Sequence, residues 1–172
     1  MWIARDIQPY PSDPKSTGKP QGRPDPDVHA RSVILALDSK CEALGVYPAM
    51  LPAAAGQVCG IACGRASEQR RAGRLDDARW TAASLFAFGK VLVRRDPNEA
   101  AFHLVLSAAF VQDSKNAWQI KDHVRVEDGL RKALGEACTA LRLDPRNADA
   151  RIDVAILQDK LVALVSEAPS LR

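Results

Sequence analysis

Apolar residues recur along this chain at intervals of three and four rather than two, the period of helices packed on one side. Val28, Leu35, Ala36 and the stretch from Cys41 to Leu44 fit a first helix ended by Gly45. Pro48 and Pro52 punctuate the connection that follows, and Pro52 suits the first turn of a second helix running to about Ala72 and closing at Gly73. A third helix opens at Asp76 or Asp77 and reaches Arg95. Its Trp80, Leu85, Phe86, Phe88, Val91 and Leu92 cover more than one face, which predicts a central, buried element. Asp96-Pro97 ends it, because the residue before proline is pushed out of the α region. Asn98 is the expected cap of a fourth helix carrying Phe102, Leu104, Val105, Leu106, Ala109, Phe110 and Val111. Residues 112–126 read as polar, with Trp118 and Ile120 embedded. A fifth helix spans about Val126 to Leu143. After Asp144-Pro145, Asn147 caps a sixth, which frays at Ala168-Pro169. No stretch has the alternation of a strand, so the expected fold is all-α: an antiparallel array of about six helices over residues 27–168, with 169–172 frayed.

Two details refine this picture. Asp96-Pro97 and Asp144-Pro145, with their apolar approaches and polar followers, repeat one helix-ending signal 48 residues apart. Repetition of such a corner points to stacked helix pairs. The second helix also carries Gly56, Gly60 and Gly64 on one face. Each glycine costs a helix about 1 kcal/mol relative to alanine, which makes sense where another helix approaches closely. A poorly helical, frayed stretch is the alternative.

Composition changes the picture at the chain's beginning. Residues 1–26 hold six of the eleven prolines, interspersed with glycine, serine, aspartate and lysine, and are expected to form a disordered, proline-rich tail or linker. Elsewhere the 47% apolar content is dominated by alanine and leucine, and only 5% of residues are aromatic, a bias toward helix. A net charge of +3 is mild and does not favour a nucleic-acid binder. No run of about 18 apolar residues offers a membrane span, and the start has no signal-peptide pattern. Cytoplasm is the expected location, with Cys41, Cys59, Cys63 and Cys138 as reduced thiols.

Catalytic chemistry finds little footing. Cys59 and Cys63 lie four apart on one helical face, but structural zinc wants close pairs converging from two loops. Cysteines in a helix interface are the commoner case. His29, His103 and His123 are isolated, and His103 reads as a partly buried packing residue. Asp76 and Asp77 are first-turn residues favoured by the helix dipole. No phosphate loop, nucleophile elbow or metalloprotease motif is present. No cofactor, no metal and no enzymatic activity are expected.

The turn Ala72-Gly73-Arg74-Leu75-Asp76-Asp77-Ala78, the two Asp-Pro corners, Ser107 with Phe110, and the small residues Ala133, Ala137 and Ala140 together resemble the tetratricopeptide repeat family, over roughly residues 50–168. That family builds 34-residue helix pairs. The span from Pro97 to Pro145 exceeds one repeat by 14 residues, so either the helices are longer than usual or an insertion around Asn116 to Arg125 bulges from the array. The Asn-Ala-Trp at 116–118, the segment from Ala140 to Arg151 and the Leu-Gln-Asp-Lys-Leu at 157–161 also resemble the C-terminal repeat tail of large bacterial serine/threonine protein kinases, without any kinase motif. The resemblance implies a non-catalytic scaffold that binds a protein or peptide in a concave groove. In the family's register Arg70, Arg71, Gln112, Asp159 and Lys160 would line it. Two other readings stand beside this one. The chain is a structural terminus of a larger repeat-containing, kinase-like protein, whose helices cap a longer array or self-associate through the glycine face of the second helix, which exposure of Tyr47, Trp118 and Ile120 together would support. Or it is a helical repeat that binds nucleic acid through the basic stretch from Arg65 to Arg95.

Overall fold

The computed structural model of the chain describes residues 22–46 and 49–167. The described residues form six helices and no strand: α1 (Pro26–Ala43), α2 (Leu51–Arg71), α3 (Leu75–Arg95), α4 (Ala100–Gln119), α5 (His123–Leu143) and α6 (Ala148–Glu167). None is long and apolar enough to cross a membrane. Most of the proline-rich segment, Tyr47, Pro48 and the expected fraying at Ala168-Pro169 lie outside the described residues.

Three turns close helices in the same way. After α1, the Gly45 amide donates to Glu42 O and Val46 to Cys41 O, with Gly45 at φ +64°. After α2, Gly73 donates to Arg70 O and Arg74 to Gln69 O, with Gly73 at φ +71°. This is the Schellman arrangement, in which a left-handed residue lets two amides satisfy the last carbonyls of the helix. The third copy follows α4. Lys121 donates to Trp118 O and Asp122 to Ala117 O, and Lys121 itself takes φ +58°. The insertion considered for residues 116–125 is therefore absent. The helix simply continues to Gln119 and turns in three residues, so the long repeat spacing comes from long helices.

The Asp-Pro corners are built alike. Asp96 and Asp144 sit in extended backbone, and their carboxylates accept from the amides two residues on, Asn98 at 3.0 Å and Arg146 at 3.1 Å. The following caps differ. Asn147 caps α6 as expected, its Oδ1 accepting from the Ala150 amide at 2.9 Å. Asn98 does not cap α4; Glu99 does, accepting from the Ala101 amide at 3.1 Å.

The helices pack as antiparallel neighbours, and α1 also lies on α3 and α2 on α4. One core gathers Leu37, Leu51, Phe88, Leu92, Phe102 and Val105 from α1 to α4; a second gathers Ala117, Val126, Leu130, Ala133, Ala137 and Leu157 from α4 to α6. Helices α4 and α5 make the closest junction. Ser107 Oγ donates to Ala133 O at 2.9 Å, and buried His103 bridges Glu136 at 2.7 Å and Pro97 O at 2.9 Å. Gly129 allows this approach, since a β-carbon there would collide with the Ser114 side chain. Gly89 does the same on α3, where a β-carbon would lie 3.1 Å from Leu106 Cα. Neither reading of the glycine stripe on α2 holds: the stretch is helical from Leu51 to Arg71, and β-carbons at Gly56, Gly60 or Gly64 would meet open space.

The described end of the proline-rich segment is not free. Arg23 pairs with Asp77 and lies over the Trp80 ring, Trp80 Nε1 donates to Pro24 O at 3.1 Å, and Asp25 caps α1. Residues 22–25 thus form a strap across α3, and helix begins at Pro26.

Candidate functional site

Helices α2, α4 and α6 contribute successive charged and polar groups to one region. From α2, Arg70 donates to Gln112 Oε1 at 2.7 Å, Asn116 Oδ1 at 3.0 Å and Ser67 Oγ at 3.1 Å. Asn116 in turn donates to Ala78 O at 3.3 Å, and Thr81 donates to Gln69 Oε1 at 2.9 Å. Gln112 and Asn116 are one turn apart on α4 and almost fully buried. These bonds tie α2, α3 and α4 together, as buried amides require.

On the adjoining face of α4, toward α5 and α6, the packing opens. Val111, Lys115 and Trp118 of α4, Leu130 of α5, and Lys160 and Leu164 of α6 line a cleft of about 310 Å³. Its walls are mostly apolar side chains, and two lysines stand over them. Burial holds Lys115 below the usual lysine range, and the charges of Lys160 and Arg70 push it further the same way. Among the described residues no carboxylate pairs with Lys115 or Lys160. Burial likewise lowers Arg70, opposed by the Cys63 thiolate.

Cys63 sits half-buried at this cluster. Hydrogen bonding with Cys59 lowers its thiol to about 7, helped by Gln112 and the charges of Lys115 and Arg70 and opposed by burial. The same pairing, with burial, pushes Cys59 up. Burial also raises Asp153 on α6, with Asp149 adding to the shift. Among the described residues no group of three or more potential metal ligands is found.

Of the residues expected in a groove, Arg70 and Gln112 are brought into direct contact, and Lys160 stands at the cleft. Arg70 was expected to offer its guanidinium to a partner's carboxylate; its donors are instead engaged by three side chains of the chain itself. Gln112, 4% exposed, is similarly committed. Arg71 and Asp159 are exposed and do not line the cleft. Sequence reasoning missed Lys115 and Asn116, and took Trp118 for a self-association residue rather than part of a cleft, because residues 112–126 read as a polar interruption. Val111, Lys115 and Trp118 carry helical spacing, the one signal that could have placed them on a common face.

The geometry defines an all-α antiparallel helical array with an apolar, lysine-rimmed cleft. The chain matches no family model, no curated protein and no solved structure.

Proposed function

We propose that the chain is a non-catalytic interaction module of the tetratricopeptide-like kind, whose cleft between α4 and α6 receives an acidic peptide segment with an apolar anchor. The observation that carries this reading is the pair of lysines without carboxylate partners beside an apolar cleft. Like charges held together and partly desolvated are costly unless an anion joins them. A peptide carboxylate on Lys115 and Lys160 would supply that anion while an aliphatic or aromatic side chain fills the space over Val111, Leu130 and Leu164. The rigid array supplies affinity through preorganisation.

Selection from a displayed peptide library tests this. Enriched peptides are expected to combine Asp or Glu with a large apolar residue, and to lose binding to a Lys115→Glu/Lys160→Glu chain. Enrichment of basic peptides, or binding indifferent to the reversal, overturns it.

A second reading, self-association through α6, draws on Ile152 and Ile156. They lie one turn apart and are 55% and 45% exposed. Trp118 and Ile120 are also about half exposed, while Tyr47 lies outside the described residues. Sedimentation across a concentration series should show a dimer that Ile152→Lys abolishes; a monomer at all concentrations removes this reading.

A further inference from the structure

The glycines of α2 leave an open flank beside two thiols. Cys59 and Cys63 lie one turn apart on that helix, Cys59 buried and Cys63 half-buried against the first core. Gly60 and Gly64 follow them in sequence, both exposed, and β-carbons there would meet nothing within 4 Å. Cys63 therefore packs on one side and can be approached from the other.

Helix α4 orders the polar surroundings of this thiol. Gln112 accepts from Arg70 through Oε1 at 2.7 Å, which leaves its amide nitrogen to donate, and it hydrogen-bonds Cys63. Hydrogen bonding with Cys59 favours the Cys63 thiolate most, followed by that of Gln112 and the charges of Lys115 and Arg70. The bond between the two cysteines, with burial, keeps Cys59 protonated. The pair thus divides into a nucleophile and a donor. Arg70 is committed within the chain, whereas Lys115 and Lys160 keep their ammonium groups free of carboxylates among the described residues.

The spacing of the pair also limits it. Residues four apart on a helix hold their β-carbons about 5–6 Å apart, and a disulfide needs about 3.5–4.5 Å. Cys59 cannot displace a group attached to Cys63 without unwinding α2, so a mixed disulfide formed there persists.

We propose that Cys63 is a modification site that exchanges with a small disulfide bearing carboxylates. The thiolate attacks one sulfur of that disulfide, a new S–S bond forms and the old one breaks. The departing half leaves as a thiolate and takes a proton from solvent, matching the one Cys63 gave up. The small disulfide is the oxidant, and one half of it stays on Cys63 with its carboxylate against Lys115 and Lys160. The site borders the cleft between α4 and α6, and its chemistry does not rest on peptide binding there.

Mass spectrometry of the full chain, reduced and then exposed to oxidised glutathione or to the cationic disulfide cystamine, tests it. One glutathionyl group is expected to map to Cys63 and to remain there without conversion to a Cys59–Cys63 disulfide. The ratio of the glutathione to the cystamine rate at Cys63 should fall about tenfold in Lys115→Met/Lys160→Met, the low end of the gain from focused charge. Both probes meet the same sulfur, so a change in its nucleophilicity alone would leave that ratio in place. Modification confined to the exposed Cys138, conversion to the internal disulfide, or an unchanged ratio each overturn the proposal.

Discussion

Helix α4 meets α2 and α6 in opposite ways. Toward α2 and α3 it presents Gln112 and Asn116, whose amides are completed by Arg70 of α2 and by Ala78 O of α3, and the contact closes. Toward α6 it presents Lys115 and Trp118, and the contact parts into a cleft. The difference is one of satisfiability. An amide can be buried once its few partners are supplied, whereas an ammonium without a counter-ion needs water. A shift of one position along the same helix, from Asn116 to Lys115, therefore separates a structural joint from a candidate binding surface.

Breaking the closed joint should have the largest effect. Asn116→Ala leaves Arg70 and the Ala78 carbonyl each short of a partner, and is expected to cost about 2 kcal/mol in urea unfolding. Charge reversal of Arg70 is expected to lower stability on the same ground, since it removes the donors to Gln112, Asn116 and Ser67. A smaller change sharpens the comparison at the end of α4. Lys121 occupies a left-handed position that glycine fills in the two sister turns, so Lys121→Gly should stabilise by about 1 kcal/mol and raise the melting temperature. On the open side, Lys115→Met with Lys160→Met should leave stability unchanged or raise it by about 0.5 kcal/mol, because mutual repulsion is removed. A large loss there would mean that the lysines hold the helices together.

The smallest effect concerns pH. Burial raises the Asp153 carboxyl above its ordinary 3.8, so the folded chain binds that proton more tightly than the unfolded chain. The ionised form is the unfavourable one. Asp153→Asn should therefore be more stable than the parent chain at neutral pH, and the gap should close as pH falls through the raised value toward 3.8. Paired denaturation midpoints at neutral and mildly acidic pH read this directly.

Much of the array was legible because its ends are written in residues with restricted backbones. Gly45 and Gly73 end α1 and α2, and Asp96-Pro97 and Asp144-Pro145 end α3 and α5, as the sequence implies. The end of α4 was not legible, since a lysine performs the turn that glycine performs elsewhere and the segment looked like an insertion. The glycines of α2 misled in the reverse sense. Periodicity places residues on a face but does not say which neighbour approaches it, and close approach falls at Gly89 and Gly129 instead. The cleft was out of reach for the same reason. Lys160 could be nominated from the register of a repeat, but the parting of α4 and α6 follows from how six helices pack.

The wall that α6 forms is held from one side. Among its described side chains only Ala150 and Leu157 are fully buried, and its principal neighbour is α5. Such an element detaches at a free energy below that of the whole fold. Amide protons of α6 should therefore exchange with solvent before those of α3 or α4. An occupant of the cleft that spans α4 and α6 would slow that exchange, so hydrogen–deuterium protection of α6 would report occupancy without any label on the partner.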